Sequence, residues 1–269
     1  MNPLRQLLMS SGAQAPLGTW IMAASPLVTE AMGHAGFQWG VIDMEHTPLD
    51  MMEVIHLLQA AGNTKMVPIV RVPWNDVVGI KRVLDAGATT LLIPFVQNAD
   101  EARRAVAATR YPPEGIRGLA GMSRGSKFGT VPDYAKTANR MVGAVLQLET
   151  PAAVAHLEAI AAVPGVDSLF MGPGDLSAAL GHPGNTTHPE VMAVMADAAS
   201  RCNAIGMPVG TVGGTPELVV QYRAMGFNYV AIASDLGLLM RGAQAAVAAL
   251  RTADTEHVHT LSGGTRSGA

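Results

Sequence analysis

Eight short apolar runs recur along this chain, each followed by a stretch of helical period, and that alternation narrows the possible folds more than any other feature. The runs fall at 17–23, 39–43, 66–72, 90–94, 144–149, 168–172, 209–212 and 229–233. They are apolar at successive positions rather than at every second one. Strands buried on both faces look like this, which requires a parallel sheet covered by helices. The helical stretches lie at 27–35, 49–61, 76–86, 99–109, 151–161, 189–205, 216–225 and 236–251, after a short opening helix. Eight such units close most naturally into a (β/α)₈ barrel, a TIM-barrel α/β fold. A doubly wound open sheet is the alternative, but no Gly-x-Gly-x-x-Gly follows the first run.

The length agrees with one barrel. The chain has 269 residues, 49% of them hydrophobic and 14% charged, against ~250 residues for a typical barrel of this kind. Residues 1–252 therefore read as a single domain. The Ser/Gly/Thr-rich remainder, 253–269, reads as a flexible tail, where His257 and His259 are taken as solvated. A net charge of −3 with no Lys/Arg stripe leaves no footprint for nucleic acid. The opening Met1–Met9 is too short and too polar for a signal peptide, and no run of about 18 apolar residues suggests a membrane span. A soluble cytoplasmic protein is expected. Cys202, the single cysteine, rules out an internal disulfide and sits in a helical apolar pattern that buries it.

In such a barrel the active site lies at the C-terminal ends of the strands. In this apolar chain the polar residues gather at those ends. The first run ends after Trp20, the second delivers Asp43-Met-Glu-His46, and the third ends in Arg71-Val-Pro73. The fifth ends in Gln147-Leu-Glu149, the sixth in Gly172-Pro-Gly-Asp175, and the seventh in Val212-Gly213-Gly214. Each has a plain structural reading and a chemical one. Asp175 after a Gly-Pro turn is a helix cap, or an acid delivered to a rim where Gly172 and Gly174 let a ligand approach the backbone. Glu149 before Thr150-Pro151 is a helix-start acid, or with Asp175 half of a hard-oxygen site for a divalent cation. Arg71 ends an apolar strand, so its charge must meet an anion, either a structural carboxylate or a substrate oxyanion. His46, on a loop, is a surface residue, or a proton carrier oriented by Asp43 or Asp85. His34, His56, His156, His182 and His188 have ordinary helix or loop contexts. The 110–140 connection is long for a compact domain, and such loops are usually functional. Its Gly121-Met-Ser-Arg-Gly-Ser lacks the spacing and the Gly-Lys-Ser/Thr of a phosphate-binding loop.

Taken together, Asp43-x-Glu-His46, Arg71-x-Pro73, Tyr111-Pro-Pro-x-Gly-x-Arg-Gly118, Gln147-x-Glu149 and Gly172-Pro-x-Asp-Leu-Ser177 occur in this order in the HpcH/HpaI aldolases. The chain resembles that family over roughly residues 4–250, and most of all its 4-hydroxy-2-oxoheptanedioate (2,4-dihydroxyhept-2-ene-1,7-dioate) aldolase branch. The resemblance implies a class II pyruvate aldolase that uses a divalent ion (Mg²⁺, Mn²⁺ or Co²⁺). Glu149 and Asp175 fall on its metal ligands, Arg71 on the arginine at the pyruvate keto oxygen, His46 on the catalytic histidine, and Asp85 on its paired acid. The backbone of Gly172, Pro173 and Gly174 falls on the segment that holds the pyruvate carboxylate; Trp20, Gln147 and Val212 fall around the substrate. The resemblance further implies a homohexamer, a trimer of dimers that exchange the last helix (here 236–251), with small-molecule substrates: pyruvate, an aldehyde and a 4-hydroxy-2-oxo acid. The chain departs from the family at Gly174, where alanine is common, at Val212-Gly213-Gly214, where bulkier residues are usual, and in a slightly shorter loop near Gly121.

The expected activity is cleavage of 4-hydroxy-2-oxoheptanedioate to pyruvate and succinic semialdehyde. The alternatives are a 2-keto-3-deoxy sugar acid aldolase or an acyl-CoA lyase, the last of which would want a basic patch that this sequence lacks. A Schiff-base route needs a lysine at a strand end. The lysines are Lys65, Lys81, Lys127 and Lys136, and none ends an apolar run. A non-catalytic oxo-acid-binding barrel predicts a broken constellation, whereas His46, Arg71, Glu149 and Asp175 are all present.

Overall fold

A computed structural model describes residues 1–12 and 14–263, with side chains described through Asp254. Eight parallel strands close into a barrel: β1 Leu17–Ile21, β2 Trp39–Asp43, β3 Val67–Arg71, β4 Thr90–Ile93, β5 Gly143–Leu148, β6 Ser168–Met171, β7 Val209–Gly213 and β8 Tyr229–Ser234. The helices are α1 Pro3–Ser10, α2 Pro26–His34, α3 Met51–Gly62, α4 Val77–Asp85, α5 Ala99–Thr109, α6 Tyr134–Met141, α7 Pro151–Ala155, α8 Leu157–Ala161, α9 Pro173–Ala179, α10 Pro189–Ala204, α11 Pro216–Ala224 and α12 Asp235–Gly263. This is the (β/α)₈ barrel expected from the alternation of runs.

Two cores divide the apolar residues. The outer one lies between strands and helices and holds side chains such as Ile42, Val70, Leu146 and Met171. The inner one fills the barrel with Trp20, Trp39, Val41, Ile69, Leu92, Val145, Phe170, Tyr229 and Ala231, plugged from below by Leu4 of α1. Both faces of each strand are therefore apolar, which is why the runs show no alternation. Inside, large side chains sit beside glycines. Gly18 is the register partner of Trp39 and Gly210 of Tyr229, and each aromatic ring lies over its glycine.

The helices start where their sequences allow. Asp50 and Glu53 form a reciprocal capping box on α3, Asn98 caps α5 and Thr150 caps α7. Three differences from the sequence pattern stand out. The helical stretch 151–161 is broken at His156 into α7 and α8. The 110–140 connection contains α6 and runs from the end of α5 to the start of β5, so it lies at the N-terminal end of the barrel, away from the C-terminal rim. The last helix extends past 251 to Gly263, so the expected tail is helical as far as it is described; residues 264–269 lie outside the described residues.

Candidate active site

The inward-facing positions of the strands run without a break from the barrel core to its C-terminal rim. Side chains on a strand alternate faces, so the positions two beyond inner-core residues also point inward. Val41 leads to Asp43, Ile69 to Arg71, Val145 to Gln147 and then Glu149, and Phe170 to Gly172. The polar set sits on top of an apolar plug that keeps water out from below.

Asp43 and Arg71 are register partners on β2 and β3. The Arg71 guanidinium donates from Nε to Asp43 Oδ1 at 2.9 Å and from Nη2 to Oδ2 at 2.7 Å, the two-pronged geometry that matches arginine to carboxylate. Its Nη1 lies 2.8 Å from Glu45 Oε2, and the guanidinium stands 5.5 Å above the Trp20 ring. Asp43 is fully buried and also accepts the backbone N–H groups of Glu45 at 3.0 Å and His46 at 3.4 Å. Asp43 thus shapes the β2 rim and holds Arg71, while each terminal nitrogen of Arg71 keeps a further N–H for the pocket.

Three acids gather beside this pair. Glu149, 1% exposed, accepts from the Phe95 N–H at 2.9 Å through Oε1 and from Gln147 Nε2 at 2.6 Å through Oε2. Phe95 adopts a left-handed backbone (φ 56°) to present that N–H, a strained conformation of the kind found where a site needs it. Burial pushes the Glu149 carboxyl up to about 7, and the charges of Glu45 and Asp175 push the same way, against the hydrogen bonds from Gln147 and Phe95. Glu45 is raised as well, by burial first, with Arg71 and His46 opposing and Asp43 and Asp175 adding to it. Neither acid serves as a helix cap. Thr150 caps α7, and Gly172 occupies the N-cap of α9, with Asp175 in its first turn. The Asp175 carboxylate has no hydrogen-bond partner among the described residues. A Cβ on Gly172 would stand 2.6 Å from Glu149 Oε2 and 2.8 Å from Gln147 Nε2, so only glycine lets the two strand ends come this close. Hard oxygen donors with free lone pairs, set beside a third acid and short of a counter-charge, fit a divalent cation held by Glu149 and Asp175.

A cavity of about 470 Å³ opens here, lined by Trp20, His46, Arg71, Gln147, Gly172, Pro173, Gly174, Asp175 and Val212, so most of the residues singled out in the sequence meet at one place. His46 is exposed at its edge, and the acid closest to its ring is Glu45, with Nε2 and Oε2 4.0 Å apart. Asp85 is not brought to His46 within this chain. It ends α4 at the opposite end of the barrel, where its Oδ1 accepts from Arg117 Nη2 at 2.7 Å. Arg117 is buried beneath Tyr111, 4.5 Å from the ring centroid, so the Tyr111–Gly118 motif packs an ion pair there. Glu45 received no role in the sequence; its signal was a second acid at a strand end between two residues already chosen. Asp235 was also missed. Its two oxygens accept from Met22 and Ala23 at 2.9 and 3.0 Å, tying the start of α12 to the end of β1.

Apart from the pocket, His182, His188 and Glu190 bring ligand atoms within 4.8 Å of one another. Their existing bonds account for the cluster as a clasp on the loop before α10. His182 Nε2 pairs with Glu190 at 2.8 Å, His188 Nδ1 accepts from the Glu190 N–H, and the two rings stack. No helix among the described residues is long and apolar enough to cross a membrane.

The chain is similar in sequence and fold to known proteins. A family profile described as HpcH/HpaI aldolase/citrate lyase matches residues 17–242. The 2-dehydro-3,6-dideoxy-6-sulfogluconate aldolase of Pseudomonas putida is 52% identical over 237 residues, covering 88% of this chain and 93% of the relative. The 5-keto-4-deoxy-D-glucarate aldolase of Salmonella arizonae is 45% identical over 231 residues, covering 86% and 90%. A crystal structure of a family protein from Burkholderia cenocepacia superposes with a TM-score of 0.89 at 40% identity, covering 93% of this chain and all of the other.

Proposed function

The chain belongs to the HpcH/HpaI aldolase/citrate lyase family, and from that premise we propose that it is a divalent-metal-dependent pyruvate aldolase. The reaction is cleavage of a 4-hydroxy-2-oxo acid to pyruvate and an aldehyde, and its reverse. The observation that supports this is the convergence of Glu149, Glu45 and Asp175 on one another at the pocket that Asp175 lines, beside an arginine locked by a buried aspartate. The relatives act on deoxy-keto sugar acids by name, which favours a substrate of that kind over 4-hydroxy-2-oxoheptanedioate.

Breaking the C3–C4 bond sends its electron pair toward the C2 carbonyl and leaves an enolate. A divalent ion held by Glu149 and Asp175 supplies Lewis acidity for that charge. Arg71 adds positive charge, and because Asp43 and Glu45 fix its plane it need not reorganise as the charge develops. His46, at the pocket edge, takes the C4 hydroxyl proton during cleavage and returns it in the addition direction. The first-turn N–H groups of α9, from Gly174 and Asp175, have no side-chain cap and are free to bind the substrate carboxylate. No lysine among the described residues lines the pocket. On α12, Leu236, Leu239, Met240, Val247 and Leu250 stand exposed, which supports the homohexamer implied by the resemblance.

The test is pyruvate release from 5-keto-4-deoxyglucarate and 4-hydroxy-2-oxoheptanedioate, before and after chelation with EDTA, with Mg²⁺, Mn²⁺ or Co²⁺ added back. Loss on chelation and recovery with metal are expected. Activity that survives thorough chelation would overturn the metal-dependent reading.

A further inference from the structure

We propose that Arg241 and Ser234 form an anion subsite at the mouth of the pocket, which selects acceptor aldehydes ending in a carboxylate or a sulfonate. The inference rests on the aldolase reading above and names the substrate class of that site. Both residues line the same cavity as His46, Arg71 and Asp175, on the wall formed by Val212, Gly214, Ala233, Ser234 and Gly237.

Charge singles out Arg241. Of the two arginines lining the cavity, Arg71 is committed to Asp43 and Glu45. Arg241 has no hydrogen bond or ion pair among the described residues. Its direction follows from helix geometry, because helical side chains lean back toward the N-terminus, over the residue four earlier. A Cβ built on Gly237 would lie 3.8 Å from Arg241 Nη1 and 3.2 Å from Ser234 Oγ, which places the guanidinium, the hydroxyl and an open glycine side by side. Ser234 Oγ accepts the Gly237 N–H at 3.0 Å, and its own proton has no acceptor among the described residues. Two unused donor groups therefore face one space, and Gly214, Ala233 and Gly237 leave room between them.

The backbone is shaped to present this pair. β8 slips its register against β1 before Ser234, which pairs with Trp20 out of step with Ala231 and Gly18. Ala233 takes a left-handed conformation (φ 52°), costly for a residue with a Cβ. Asp235, bound to Met22 and Ala23, then anchors the first turn of α12. With the pyruvate half at Arg71 and at the cation that Glu149 and Asp175 would hold, the wall of Ala233, Ser234 and Gly237 is left to the aldehyde half. An oxyanion at its far end meets Arg241, the one uncommitted cation of the cavity lining among the described residues.

The experiment measures pyruvate addition to succinic semialdehyde (carboxylate), 3-oxopropane-1-sulfonate (sulfonate) and butanal (neutral), using metal-loaded full-length protein. The readout is the ratio of kcat/KM for each charged acceptor to that for butanal. A hydrogen bond to a charged group corresponds to about 10- to 100-fold in that ratio. The expected result is a ratio well above one in the wild type, lowered by about that factor in Arg241→Gln, mainly through KM, and partly restored in Arg241→Lys. Ser234→Ala is expected to give a smaller fall. The arm that loses more identifies the preferred anion. A ratio unchanged in Arg241→Gln, or near one in the wild type while butanal is turned over, overturns the subsite and leaves the aldolase reading standing. No addition with any acceptor overturns both.

Discussion

Gly172 and Gly174 flank one proline and answer to different requirements. Gly172 has an ordinary extended backbone (φ −93°) but no room for a Cβ, which would press on Glu149 and Gln147. Gly174 has nothing within 4 Å of its would-be Cβ, which leaves room for an alanine there. Gly172→Ala is expected to push Glu149 aside and lower kcat/KM by at least ~100-fold, the scale of a displacement of about 1 Å at a reacting centre. Gly174→Ala is expected to change it little, and steady-state kinetics on both variants with metal titration checks the contrast. The sequence alone treated the two glycines alike, because what separates them is a carboxylate arriving from the neighbouring strand. The same holds for Arg71. An arginine ending an apolar strand needed an anion, but that Asp43 meets it two-pronged depended on the β2–β3 register. Asp43→Ala is expected to lower the unfolding free energy by about 3–5 kcal/mol, the cost of stranding a buried charge, as measured by urea unfolding.

At the scale of elements, the strands were legible because burial on both faces leaves unbroken apolar runs, and β2 falls at 39–43 as the pattern has it. The helical pattern matched the starts of α5 at Ala99 and α11 at Pro216, where Asn98 and Thr215 cap, whereas for α3 it began at 49, ahead of the Asp50 cap. Less legible was which strand residues face inward, since Ile42 and Val41 look alike in a run and only barrel closure assigns them to different cores. Closure also sets the role of glycine. A Cβ on Gly18 would sit 2.2 Å from the Trp39 ring. Gly18→Ala is therefore expected to cost about 3 kcal/mol or more, beyond ordinary overpacking. Gly62→Ala, near the end of α3 with nothing within 4 Å of its would-be Cβ, is expected to be neutral or to stabilise by up to about 1 kcal/mol through helix propensity. Denaturant unfolding of the pair separates interior packing from backbone preference.

For the whole molecule, the clustered acids couple stability to pH and to metal. With no cation bound, the native Glu149 carboxyl holds its proton up to about 7, against an ordinary value of 4.5. Between these pH values the native protein binds more protons than the unfolded chain, so its stability falls as pH rises, by up to about 3 kcal/mol in all. Glu45 shifts in the same direction and steepens the fall. A divalent ion must displace that proton, so its affinity is expected to rise roughly tenfold per pH unit across the same range and to flatten the stability profile. Thermal unfolding from pH 5 to 8, with and without Mn²⁺, checks this; an ion-free profile that rises toward pH 7 contradicts it. The fold class and the rim on which the polar residues stand were determined by the chain itself, because hydrophobic period and the abrupt end of each apolar run are local properties. The tertiary structure alone decided that Glu45 joins Glu149 and Asp175, that Asp85 pairs with Arg117 at the far end of the barrel, and that Arg241 returns to the mouth of the pocket. Those relations join residues from strands and helices far apart in sequence, and only closing the barrel and docking α12 against β1 sets their distances.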